Sequence, residues 1–280
     1  MRSKANSGET PGLAVTWMAR RAGAVGHWRA LLSVAVIATV GVLALSPAAL
    51  AEEQVSISAK FNPDVLGAPT LVTGSAIFTN TLGRIPSPLS KVTIVGPAGV
   101  GLNLKGTATC SAAILEERGP EGCPARSVAG SGGGMGIFEL AGEVIEEPFT
   151  MNLFVGNNKP GSIEVLLYVN AVSPVSVQLV FHAPVITEPK PYGLGFTFDV
   201  PPIKTLPEAS NASVKNAHIT LGATPAEQRQ FHVKGIIVPN TCPKGGFPVE
   251  TIFGFEDGST VDAKSTIACP KGSSKKKKKH

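Results

Sequence analysis

The sequence predicts an all-β protein, an antiparallel two-layer β-sandwich with one or two very short helices. Three observations carry that expectation. Apolar and polar residues alternate with a period of two over many short runs, which puts one side of each run in a core and the other in water. The 280 residues include 31 Gly and 23 Pro, a composition that builds turns and breaks helices. Helical patterning is confined to two fragments.

The chain opens with an export signal. Residues 30–45 read ALLSVAVIATVGVLAL without a charge, after Arg20, Arg21 and Arg29 and before Ser46-Pro47-Ala48-Ala49-Leu50-Ala51. Ala49 and Ala51 give the small-x-small pattern that signal peptidase cleaves, so the mature chain is expected to begin at Glu52. Met18 is the expected true start, because a signal over 18–51 has ordinary proportions. The residues flanking Arg20-Arg21 do not fit a twin-arginine signal, which leaves Sec-type export to the cell envelope or the medium. The alternative is an uncleaved anchor helix at 30–51, although a membrane span needs about 20 apolar residues.

Removing the ends changes the charge. The whole chain carries +5, whereas residues 52–270 hold 14 basic and 19 acidic residues, a net charge of −5. The sequence pI of about 9.0 therefore describes the ends, and no nucleic-acid partner is expected for the domain.

Within 52–270 the first strand carries Val55, Ile57, Ala59 and Phe61 on one side and Ser56, Ser58 and Lys60 on the other. Met151, Leu153 and Val155 lead through a Gly/Asn/Pro turn at 156–161 to Ile163, Val165, Leu167 and Val169, a hairpin. Val175, Val177, Leu179 and Phe181 follow, then Phe196, Phe198 and Val200, then Ala217, Ile219 and Leu221. Thr251, Phe253 and Phe255 reach Val261, Ala263, Ser265 and Ile267 through Glu256-Asp257-Gly258-Ser259. An Asp-Gly turn between alternating runs is a strong hairpin signal. Ser111 caps a short helix at 112–118 that Gly119-Pro120 stops, and Thr224-Pro225-Ala226-Glu227 forms a capping box. One domain over 52–270 is expected. Division into two Ig-like sub-sandwiches near the Pro-rich 183–207 is the alternative.

All four cysteines follow the signal, and an even count in an exported chain reads as disulfides. Three pairings are open to four cysteines. Cys110–Cys123 and Cys242–Cys269 are preferred because each pair brackets a local unit, the short helix and the last hairpin. Zinc fails on spacing, since there is no C-x-x-C and no nearby His.

The segments GPAGVGLNLKGTATCSAAILEERGPEGCPARSVAGSG, SPVSVQLVF and NTCPKGGFPVETIFGFEDGSTVDAKSTIACP resemble a group of secreted all-β proteins of high-GC Gram-positive bacteria, from about Gly96 to Pro270. That group carries no assigned activity or ligand. The resemblance implies export, the β fold and the same cysteine pairing, and it carries over no catalytic residue and no cofactor.

Chemistry-bearing motifs are sparse. There is no G-x-S-x-G. The run GSGGGMG at 130–136 lacks the Lys-Ser/Thr of a phosphate loop and reads as a glycine-rich strand or bulge, and Lys105 sits on the wrong side of Gly106 for a phosphate contact. His182 and His218 alternate with polar strand residues and read as solvent-facing, and with His232 they make a metal or catalytic site only by converging in space. Glu116-Glu117, Glu146-Glu147 and Glu256-Asp257 read as solvated pairs, adjacent strand residues pointing to opposite faces. Both tryptophans, Trp17 and Trp28, precede the cleavage site, so Tyr168 and Tyr192 are the only mature stacking candidates outside the phenylalanines.

The tail at 271–280 has no apolar residue and is expected to be disordered. Lys275, Lys276, Lys277, Lys278 and Lys279 are a candidate tether to anionic cell-wall polymers or a membrane surface. The sequence thus points to a non-enzymatic structural or interaction protein of the envelope. An extracellular ligand- or glycan-binding module is the alternative, ahead of a hydrolase with an unrecognised site.

Overall fold

The alternating runs pair into one antiparallel sheet. The computed structural model describes residues 52–207 and 209–270, so the export signal with Ala49 and Ala51 and the tail from Lys275 to Lys279 lie outside the described residues. Along the chain come β1 (Glu53–Asn62), β2 (Pro69–Asn80), β3 (Leu89–Pro97), β4 (Gly101–Asn103), α1 (Ala112–Arg118), β5 (Val128–Leu140), β6 (Glu143–Asn157) and β7 (Glu164–Ala171). They are followed by β8 (Val177–Thr187), β9 (Tyr192–Asp199), β10 (Ser213–Leu221), α2 (Pro225–Phe231), β11 (Gly235–Ile237), β12 (Phe247–Phe255) and β13 (Thr260–Ile267). Across the sheet the order is β1-β2-β10-β5-β6-β7-β8-β9-β3-β12-β13, with short β11 and β4 continuing past the start of β2. The stretch at 183–207 lies within this order, as the end of β8, all of β9 and the segment after it.

The sheet curls until its end strands lie side by side. β1 and β13 run in the same direction and share no ladder. Val55 and Val261 line one cleft at the strand starts, and Phe61 and Ile267 share a cluster at the ends. Edge-on ring pairs reinforce the contact, Phe61 with Phe247 at 5.4 Å and Phe78 with Phe253 at 5.0 Å. Such pairs contribute about 0.5–1.5 kcal/mol each beyond their buried area. The two expected layers are therefore facing halves of a single sheet.

Glycine allows one sharp passage in this curl. In β5, Gly130, Gly132 and Gly134 alternate along the edge shared with β10, where a Cβ on Gly132 would sit 2.2 Å from the carbonyl oxygen of His218. No side chain fits that approach. The run read from sequence as a glycine-rich strand is therefore a strand whose residues are chosen by a neighbouring backbone.

The two helices form as their caps dictate. Ser111 Oγ accepts from the Ile114 N–H at 3.3 Å and opens α1, and Thr224 and Glu227 complete the capping box of α2. α1 lies on the outer face of β6–β8, where Leu115, Cys110, Phe154, Leu166 and Tyr168 form a satellite core.

Both disulfides pair as expected, Cys110 with Cys123 and Cys242 with Cys269. The first ties down α1 and the second closes the base of the β12–β13 hairpin. Two disulfides fit an oxidising compartment. In the chain-entropy picture the longer loop contributes about 3.6 kcal/mol and the shorter about 3. Cys242→Ser with Cys269→Ser is expected to lower the urea-unfolding free energy by about 3.6 kcal/mol. A change below about 1 kcal/mol would show that the hairpin needs no staple.

Candidate ligand cavity

The inward residues do not fill the space they enclose. Between the two halves of the sheet lies a cavity of about 260 Å³, lined by every long strand except β13. Its origin is legible residue by residue. On β1, β2 and β10 the inward positions Ala59, Gly74, Ala76 and Ala217 are small, and Ala76 stands directly opposite Ala217 in the register. The facing wall carries Phe149, Met151, Leu179 and Phe198, which point inward yet keep intermediate solvent accessibility. Packed cores leave few voids larger than a water molecule. An apolar cavity of about 150 Å³ already accommodates benzene, and this one is larger.

One end is sealed by packing. Leu153, Leu167, Phe181, Ala183 and Phe196 form a tight cluster there, with Leu153 and Ala183 fully buried. At the opposite end the chain crosses from β9 to β10 through residues 200–212, contributing Ile203, Thr205 and Ala212 to the lining. The crossover is held by Val200 N–H to Ser90 O at 2.8 Å, Ala212 N–H to Ile203 O at 2.9 Å and Ser210 N–H to Glu139 O at 3.2 Å.

Polar groups are few in this lining. It contains neither Lys nor Arg, and its one acidic residue is Glu147. The expectation that Glu146 and Glu147 point to opposite faces is met. Glu146 is exposed and bonds Lys215 Nζ at 2.5 Å, while Glu147 is only 5% exposed. The reading of this pair as solvated surface is thus corrected for Glu147, whose position on β6 shares the inward parity of Phe149 and Met151. Ser213, also lining this end, donates its hydroxyl to Pro86 O at 2.5 Å.

The histidines and tyrosines singled out in the sequence do not gather. His182 on β8 is exposed and lies 2.9 Å from Glu164 Oε1. His218 on β10 presents an exposed side chain, and exposed His232 ends α2 in the left-handed conformation with φ of 56°. Tyr168 is buried beneath α1, outside the sheet. Tyr192 stands beside the ion pair of Glu250 and Lys264, whose charged atoms are 2.9 Å apart. Burial, then the Glu250 carboxylate, raise the Tyr192 phenol above its ordinary value, and Glu250 does the same for the Lys264 ammonium. Aliphatic residues and phenylalanine build the site instead, with alanine and glycine leaving the space between them. Its sequence signal is a run of small inward residues on strands whose other face is ordinary.

No family model, curated protein or solved structure matches this chain.

Proposed function

We propose that the protein binds an apolar small molecule inside its curled sheet and does so outside the cytoplasm. The cavity supports this reading: large inward side chains remain accessible where the opposite wall carries Ala59, Gly74, Ala76 and Ala217. Removing apolar surface from water contributes about 25 cal/mol per Å², and an unfilled apolar lining offers that surface to a ligand. Pockets of this kind, mostly apolar with a few placed polar groups, are typical of small-molecule sites. Export through residues 1–51 and retention by the lysines at 275–279 belong to the same proposal, the disulfides being consistent with it.

N-phenyl-1-naphthylamine, dim in water and bright in apolar surroundings, tests the binding step. Titrated into the mature domain, it should give a saturable signal with one site per chain, lost on unfolding in urea. A rise that never saturates, equal to that in denatured protein, rules the proposal out.

A further inference from the structure

We infer that Glu147 anchors the head of the ligand, so that the cavity takes an elongated apolar molecule carrying a hydrogen-bond donor and no negative charge. The inference rests on the binding reading above and adds the ligand's chemistry to it.

Glu147 is buried at the end of the cavity nearest the crossover. It pairs with Gly136 across β5–β6, and Gly136 pairs with Val214 at the start of β10. Among the described residues, the one hydrogen-bond donor to its two oxygens is the Val175 N–H, shared at 3.2 Å and 3.3 Å. A carboxylate has about four acceptor sites. A buried polar group with most of its capacity unused costs free energy unless something else satisfies it. The lining has no Lys or Arg to do so. A donor on the ligand meets that need.

The same geometry excludes the commonest lipid head. A fatty-acid carboxylate placed here would lie in an apolar wall without a cation and would bring the acceptors of Glu147 no donor, and both effects oppose it. A hydroxyl or an ammonium head meets neither obstacle.

The shape sets the tail. The lining follows β10 from Ser213 to Leu221, about 26 Å at roughly 3.3 Å per residue. A volume of about 260 Å³ spread over such a length is a narrow channel, suited to an unbranched chain. The polar end and the apolar remainder match a single-chain amphiphile.

Displacement of N-phenyl-1-naphthylamine at neutral pH tests this, with hexadecan-1-ol and hexadecanoate as competitors of equal chain length. The wild-type domain should bind the alcohol at least tenfold more tightly than the carboxylate. In Glu147→Gln, which keeps an acceptor for the Val175 N–H, that ratio should fall at least threefold, each competitor being referred to the dye affinity of the variant itself. A merely structural role for Glu147 would not move the ratio. Equal displacement by both competitors from wild type, with the dye still bound at one site, overturns the inference and leaves the binding reading standing. A ratio unaltered in Glu147→Gln also overturns it. Absence of saturable dye binding removes the binding reading itself.

Discussion

Gly132→Ala is expected to cost on the order of 3 kcal/mol of folding free energy, as overpacking against a rigid neighbour does at its upper range. The added Cβ would sit 2.2 Å from the His218 carbonyl oxygen and 3.0 Å from Ile219 Cα, both backbone atoms of β10. Neither can rotate away as a side chain would. Relief requires β5 to separate from β10, and that pairing joins β1 and β2 to the rest of the sheet. Gly136 in the same strand is the internal control. A Cβ there would lie 3.4 Å from Glu147 O and 3.7 Å from Ser213 O, ordinary contact distances. Gly136→Ala should therefore stay within about 1 kcal/mol of wild type. Urea unfolding of both variants decides the matter. Equal losses would mean that generic strand propensity, and not close backbone approach, explains these glycines.

Ala76→Phe is expected to abolish ligand binding while leaving the fold intact. Ala76 faces Ala217 across β2–β10, and both line the cavity. A ring at position 76 projects into empty space, so it fills the void and does not displace a packed neighbour. Cavity-filling substitutions commonly add about 0.5–2 kcal/mol of stability. The dye affinity should fall at least tenfold, roughly 1.4 kcal/mol, with the thermal midpoint unchanged or raised. That combination separates a lost site from a damaged fold. Loss of binding accompanied by a large loss of stability would instead mean that the interior is already filled.

The parts of the fold written as simple alternation were legible. β1, the β6–β7 and β12–β13 hairpins, β8, β9 and β10 all follow period-two runs, and both helix caps act where Ser111 and Thr224 stand. β2 escaped notice because its inward positions include Gly74 and Ala76, which blunt the apolar rhythm. β5 carries glycine where a strand ordinarily carries a β-branched residue, since β10 forbids a Cβ there. These two departures from the ordinary strand pattern share a cause. The small residues that hide β2 from a pattern search also hollow the interior, so the weakest sequence signal marks the candidate site. The histidines and tyrosines drew attention because their chemistry is versatile, but strand parity and α1 keep them from converging, and His218, though among the residues that line the cavity, has an exposed side chain. Glu147 was legible as pointing opposite to Glu146. Which of the two faces was buried depended on the curl of the whole sheet, which no local pattern records.

Hexadecan-1-ol binding to the mature domain, followed by thermal unfolding, tests the central claim most directly. A ligand that binds only the folded state stabilises it by about 2.7 kcal/mol at a hundredfold excess over Kd, a shift of roughly 5–10 °C for a chain of this size. The account predicts that shift in wild type and its disappearance in Ala76→Phe. An unchanged midpoint in wild type across alcohols, amines and alkanes of this length would contradict it.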